Sequence, residues 1–408
     1  MTSTSRGRRR GLTPVGLALL AVLLVGINLR SPIAAVAPVL DEVSGDVGLT
    51  RATAGLLTSL PVVCFALAAP VASWLGHRMG PGRAIALGLV VVAVGLVARV
   101  LLGSGVLLVG TVVVGLGMTV GNVLVPVVVK RDFPLSAARV TGVYTATLAG
   151  GAALAAALTA PLSEPAGWRV GLAAWVVLPV LALLVWWPGV VVPERTTTAG
   201  APGRPTARAH PAGAPHTSRS VWRQPMAWAV ALTLGFQSAL YYSLTSWLPT
   251  LLREDLGLAR EAAGTAMSVF QLLAIPSTLV VPVLCRRGTS QSWLGALVAL
   301  GWAVMVVGLL EVPQWWLLWC VVGAFAQGAG ISLAFTLAVL RARDAETVRG
   351  LSGMSQLIGY GLGAAGPIVL GAVSATTGSW DVPLLVLLVL SGGLLLSAAV
   401  AGRDRDIV

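Results

Sequence analysis

Twelve long apolar runs govern what this sequence can become. A helix rises ~1.5 Å per residue, so ~20 apolar residues span the ~30 Å hydrocarbon core of a bilayer. Such runs fall at 13–40, 51–76, 82–103, 105–129, 138–163 and 168–188, and after a break at 225–252, 262–284, 290–310, 314–340, 350–375 and 380–402. In lipid every backbone N–H and C=O must find its partner within the chain, and an apolar run of this length does so as a helix. The predicted fold class is an all-α membrane protein of twelve transmembrane helices in two six-helix bundles. The organisation is a basic N-terminal tail at 1–12, a first bundle at 13–188, a linker at 189–224, a second bundle at 225–402 and a tail at 403–408.

Charge supports this reading and orients it. Charged residues are only 10% of the chain, against ~25% in soluble proteins. The net charge of +12 comes from 26 Arg and a single Lys, Lys130, set in short clusters between the apolar runs. That dispersal excludes a nucleic-acid surface, which would gather its cations on one face. With both termini placed inside, 21 of the 27 cations fall in inner segments and four, Arg51, Arg169, Arg253 and Arg260, in outer ones. This is the positive-inside bias. The cluster from Arg6 to Arg10 heads an apolar run too long for a signal peptide, so the run is the first span.

Other classes of chemistry find no support. Cys64, Cys285 and Cys320 have no metal-ligand spacing, and His210 and His216 stand in a linker stretch, 196–220, rich in Thr, Ala, Gly, Pro and Arg. No metal or cofactor is expected. No glycine-rich run has the context of a phosphate loop. Apart from Asp381 at the edge of the last span, the spans contain no His, Asp or Glu, which argues against an enzyme.

The two halves repeat one another. Gly48-Leu49-Thr50-Arg51, Ala54-Gly55 and Ser59 open span 2, and Gly257-Leu258-Ala259-Arg260, Ala263-Gly264 and Ser268 open span 8, at a constant offset of 209. Pro38 answers Pro249, Arg131-Asp132 answers Arg343-Asp344, and Gly142 answers Gly353 at offsets of 211 or 212. Parallel six-span repeats around an axis along the membrane normal place a central site between the halves.

Polar residues at mid-depth are the candidates for that site. Arg30, in Asn28-Leu29-Arg30-Ser31-Pro32, lies roughly 6 Å from the middle of span 1 along the helix rise. A guanidinium at that depth costs ~2.5–3.5 kcal/mol on insertion scales, so it needs an anion or a wet cavity. Arg99, near the outer end of span 3, is expected to snorkel to the interface. In span 7, Gln237, Tyr241 and Thr245 form one stripe and Ser238, Tyr242 and Ser246 another, each at a spacing of four. The repeat offset sets Tyr241 as the counterpart of Arg30. Asn28, Asn122, Gln271, Gln327, Gln356 and Tyr360 are the remaining mid-span polar groups.

These strings resemble the cyanate and 2-nitroimidazole permease branch of the major facilitator superfamily. The resemblance rests on Asn28-Leu29-Arg30 with Pro32, Gly55-Leu56-Leu57-Thr58 with Leu60-Pro61, Gly121-Asn122-Val123-Leu124 and Lys130-Arg131-Asp132-Phe133-Pro134. In the second half it continues through Gln237-Ser238, Tyr242, Trp247-Leu248-Pro249, Leu351-Ser352-Gly353-Met354, Gln356, Gly359-Tyr360 and Gly366-Pro367. His77 stands where the superfamily's loop after span 2 carries Asp. The resemblance implies secondary transport of a small anionic or weakly acidic solute by alternating access, in the plasma membrane of a bacterium, by a single chain. Its expected partners are that solute and the lipid bilayer. Arg30 would neutralise the solute, and Asn28, Asn122, Gln237, Tyr241, Gln327, Gln356 and Tyr360 would supply hydrogen bonds. A multidrug exporter on the same fold is the alternative.

Overall fold

Proline and glycine decide where these helices bend and stop. A computed structural model describes residues 14–133, 137–192, 221–285, 289–342, 345–405 and 407. The tail at 1–12 and the linker stretch at 196–220, with His210 and His216, lie outside them. Span 1 is broken: Pro14–Asn28 gives way at Leu29 and Arg30 to a short helix Ser31–Ala34, a 3₁₀ turn Ala37–Val39 and a final helix Leu40–Val47. Pro32 and Pro38 have no N–H to continue the ladder. The sequence placed the end of this span at residue 40, but the helix runs seven residues further. Asp41 and Glu42 in its first turn favour the helix dipole, and Gly48 ends it at φ +69°, where a side chain would be strained. Gly257, the repeat counterpart of Gly48, ends span 7 in the same way at φ +62°.

Span 2 is the pair Arg51–Leu67 and Ala69–Met79, bent by 57° just before Pro70. Spans 3 to 6 are Pro81–Ala98, Ser104–Asp132, Ala137–Ser163 and the stretch from Gly167 to Val191. In the second half, span 7 is Pro225–Leu256 and span 8 is Arg260–Leu272 with Ala274–Leu284. Spans 9 to 12 are Ser292–Glu311, Trp316–Leu340, Ala345–Thr377 and Asp381–Ala401. Among the described residues ten helices are long and apolar enough to cross a membrane, and the bent pair of span 2 makes eleven. Span 7 is the twelfth. Its 32 residues are long enough, but its two polar stripes lower its apolar character, and nearly all of it from Ala227 to Leu252 is buried by the other helices.

The repeat organises the seam between the halves. Span 2 packs on span 11 and, by the same operation, span 8 packs on span 5. A Cβ on Gly55 would meet the Pro367 carbonyl oxygen at 2.8 Å, and one on its counterpart Gly264 would meet that of Ala156 at 2.9 Å. Thr58 and Ser246 share a 2.6 Å hydrogen bond across the seam, and Ser268 donates to the Ala153 carbonyl at 3.0 Å. Three ion pairs join the halves at the end of the bundle far from the linker: Arg51–Glu254 at 2.8 Å, Arg253–Asp41 at 2.7 Å, and Arg260–Glu42.

At the linker end the final residues are tied down. Arg341, directly after span 10, is buried. It donates to the carbonyls of Ala401 and Gly402, both at 3.0 Å, to Gln291, and to Asp404 at 3.1 Å. The Arg341 carbonyl in turn accepts from the Ile407 amide at 2.7 Å.

Candidate functional site

The break in span 1 sets the site. Arg30 sits in the break, at φ −135° and ψ −31°, so its side chain leaves the helix toward span 7. Its Nη1 donates to the Tyr242 hydroxyl at 3.0 Å. Its guanidinium carbon lies 5.0 Å from the centre of the Tyr241 ring and 5.5 Å from that of Tyr242, inside cation–π range. Tyr144 on span 5 and Tyr360 on span 11 also interact electrostatically with Arg30. The chain has four tyrosines: two, Tyr241 and Tyr242, touch this cation, and the other two lie within its electrostatic reach. Tyr360 stands edge-on to Phe65 of span 2, with ring centres 5.7 Å apart. None of the ion pairs among the described residues involves Arg30. A half-buried guanidinium walled by phenols and without a carboxylate is suited to hold an anion, which it can meet with two parallel N–H donors.

Tyr242, Tyr144 and Phe65 are the members that sequence reasoning left out of the site. Tyr242 was visible as part of the second polar stripe of span 7. The signal for Tyr144 was its rarity: a chain with four tyrosines, every one of them within an apolar run.

Behind the tyrosines lies a relay of three glutamines. The Trp302 indole donates to Gln237 Oε1 at 3.0 Å, and Gln237 Nε2 donates to the Gln327 carbonyl at 3.1 Å. Gln327 Nε2 donates to Gln271 Oε1 at 3.2 Å, and Gln271 Nε2 reaches the Tyr241 hydroxyl at 3.3 Å and Thr245 at 3.4 Å. Four helices, spans 7 to 10, are thereby fixed to one another. Gln237, expected at the site, has both ends of its amide committed here and is 1% exposed. Asn28 is also turned away, donating to the Leu24 carbonyl of its own helix at 2.8 Å. Asn122 and Gln356 are half-buried with no side-chain hydrogen bond, and Gln356 lies one turn from Tyr360 on the linker side. Gln327 keeps a buried Oε1 without a partner.

Gln237→Ala should therefore act on stability. It leaves the buried Trp302 N–H without an acceptor, a cost of about 1–3 kcal/mol. Thermal unfolding of the detergent-purified protein should show a lower midpoint, with the KM for solute near its parent value.

Arg99 does not snorkel. It is 1% exposed and donates to the Pro32 carbonyl at 3.2 Å, while its Nε and Nη2 have no partner. Two features draw it inward. The proline-broken stretch of span 1 offers a free carbonyl, and Gly110 on span 4 has no side chain to keep the backbone of Arg99 away.

The profile of the Major Facilitator Superfamily matches residues 17–367. The 2-nitroimidazole transporter of Escherichia coli (strain K12) is 36% identical over 95% of this chain and 95% of its own length. The cyanate transport protein CynX of the same strain is 28% identical, covering 89% of this chain and 91% of that protein. The crystal structure of a bacterial homologue of the human lysosomal transporter Spinster, inward-facing and unoccupied, superposes with a TM-score of 0.72 at 18% identity. That superposition covers 97% of this chain and 99% of the other.

Proposed function

The chain belongs to the major facilitator superfamily of membrane transporters, and on that premise we propose that it carries a small anionic or weakly acidic solute past Arg30 by alternating access. The observation that carries this reading is a cation at mid-depth held by Tyr241 and Tyr242 and paired with no carboxylate among the described residues. The anion missing from the protein is the solute. The aromatic walls suit a small planar one, of the kind named for two relatives, cyanate or a nitroimidazole. Arg30, Tyr241, Tyr242 and Tyr360 form the contact set, and Asn122 and Gln356 offer free amides on the linker side. Gln237, Asn28 and Gln327 support the helices that present it.

The positive-inside count puts the linker and both termini in the cytoplasm. The three ion pairs then seal the outer end, and the solute reaches Arg30 from within. Inward movement of one negative charge opposes an inside-negative potential by ~2.3 kcal/mol per 100 mV. With every carboxylate of the spans near a helix end and none at mid-depth to carry a proton, uptake is met most simply by anion exchange or by transit of the neutral acid.

Proteoliposome uptake tests the proposal. Labelled cyanate, 2-nitroimidazole and a panel of weak acids are compared with cationic drugs. Saturable flux of an acid or anion that depends on Arg30 supports it. Flux confined to the cationic drugs sinks it and leaves the multidrug reading.

The seal makes its own prediction. Each of its ion pairs is partly exposed and worth ~0.2–1 kcal/mol. Glu254→Gln, Asp41→Asn and Glu42→Gln together should raise the outward-open population severalfold. Impermeant maleimide labelling of Ser59→Cys, a buried seam residue, reads that population. Labelling no faster than in the parent would remove the ion pairs from the gate.

A further inference from the structure

The residue that opens span 12 meets both partners of one ion pair at the end far from the linker. Trp380, buried at the start of that helix, donates from its indole Nε1 to Glu254 Oε2 at 2.7 Å. The Arg51 guanidinium lies over the same indole, 5.6 Å from the ring centre. Its Nη2 meets the two Glu254 oxygens at 2.8 and 2.9 Å, and its Nη1 reaches Ser374 on span 11 at 2.5 Å. Trp380 is itself held in place. Its ring packs on that of Trp247 with centres 5.6 Å apart, and the Trp247 indole donates to the Pro367 carbonyl at 2.9 Å. Arginine, glutamate and indole form a closed triangle, of which Arg51 alone belongs to the first half.

The repeat holds a second copy of this triangle, with its arginine drawn from elsewhere. Trp168 is the counterpart of Trp380 at an offset of 212. Its indole donates to Asp46 at 3.2 Å, and Arg169, the next residue, lies over its ring at 4.4 Å and pairs with Asp46 at 2.6 Å. All three members of that copy are in the first half. After Trp380 the chain has Asp381, an exposed acid, where the first half has Arg169. An acid there cannot pair with Glu254, which takes its arginine from across the seam. We propose that Trp380 is a positioning residue of the seal. Its N–H fixes the Glu254 carboxylate, its ring face receives Arg51, and the far end of the carrier closes when Arg51 docks on the two together. An exposed ion pair is weak partly because two long side chains must be ordered to make it. A buried indole that fixes one of them lowers that cost, and the cation–π contact adds to the attraction.

The proposal rests on closure of that end and on nothing about the solute, so no solute enters its test. Impermeant maleimide labelling of Ser59→Cys, in a chain with Cys64, Cys285 and Cys320 replaced, reads the open population. Trp380→Phe keeps a ring for Arg51 and loses the N–H. Labelling should rise about fivefold, the scale of one partly exposed hydrogen bond to an ionised group. Asp381→Arg copies the first half from an exposed position. It offers Glu254 a cation of its own half and should raise labelling too, while Asp381→Asn stays at the parent rate. Trp168→Phe removes the equivalent bond within one half and should leave labelling unchanged. In a Glu254→Ala background the Trp380→Phe step should shrink to about twofold at most, since the two act as a unit. Parent-rate labelling of either Trp380→Phe or Asp381→Arg overturns the proposal. So does an equal rise in Trp168→Phe, or an undiminished step in Glu254→Ala. Gly55→Leu, which wedges the same seam, separates this failure from a failure of closure itself: labelling at the parent rate there would remove the closure on which the proposal stands.

Discussion

Arg30→Ala is expected to lower solute transport, as kcat/KM, by roughly 30-fold or more, from loss of a desolvated charge pair worth about 2–5 kcal/mol. Arg30→Lys should recover part of this, since an ammonium keeps the charge but lacks the paired donors. The sign of the stability change separates a solute site from a structural one. In the empty carrier the guanidinium has hydroxyl and ring partners but no counter-charge. Replacing a poorly compensated buried charge by an apolar group of similar size is neutral or stabilising. Arg30→Met should therefore unfold at the same temperature as the parent or higher, and lose the thermal shift that solute confers on it. Full transport by Arg30→Ala, or a large fall in the unfolding midpoint of Arg30→Met, would show that the cation holds helices together instead.

Gly55→Leu and Gly264→Leu should each arrest the cycle in a folded protein. At both positions a Cβ would press on a backbone carbonyl of the opposite half, and a backbone oxygen cannot swing away as a flexible side chain can. Overpacking costs ~1–3 kcal/mol, and here it falls only on the state in which the outer halves of the helices touch. A 2 kcal/mol penalty shifts a two-state equilibrium by about 30-fold. The seams are separate, so the double variant should shift it by about the product. The carrier is then held open at the ion-pair end, with transport near background and rapid labelling of Ser59→Cys. Background labelling is removed by replacing Cys64, Cys285 and Cys320. Normal transport by both variants would mean that these seams do not close during the cycle.

Much of this was legible in the residues. Run length, loop charge and the constant offset between Gly55 and Gly264 follow from bilayer thickness and gene duplication, and the structure turns that offset into two equivalent seams. The position of Arg30 was legible too, because a cation near the middle of a span, with no acid at that depth, has few explanations. The partners were harder. The offset pointed from Arg30 to Tyr241, and the structure stacks Arg30 on that ring but places its hydrogen bond on Tyr242, the adjacent residue. A helix break turns a side chain by an amount that periodicity does not encode. Gln237 shows a second reason. A polar residue at mid-depth reads the same whether it faces a cavity or a buried indole, and only the position of Trp302 on span 9 decides between them. Arg99 shows a third, since the carbonyl it binds is free only because span 1 is broken on another helix.

The buried Arg341 has a consequence for how the protein is made. Two of its acceptors, the carbonyls of Ala401 and Gly402, lie 60 and 61 residues downstream, and the Ile407 amide closes back on its own carbonyl. The end of span 10 thus enters the membrane long before these partners are synthesised. Until span 12 follows, only Gln291, already synthesised, is there to accept from Arg341. A premature stop codon before residue 401 would be felt there, as a charge without the carbonyls of Ala401 and Gly402. Chains that end before span 12 carry that mark for quality control to read.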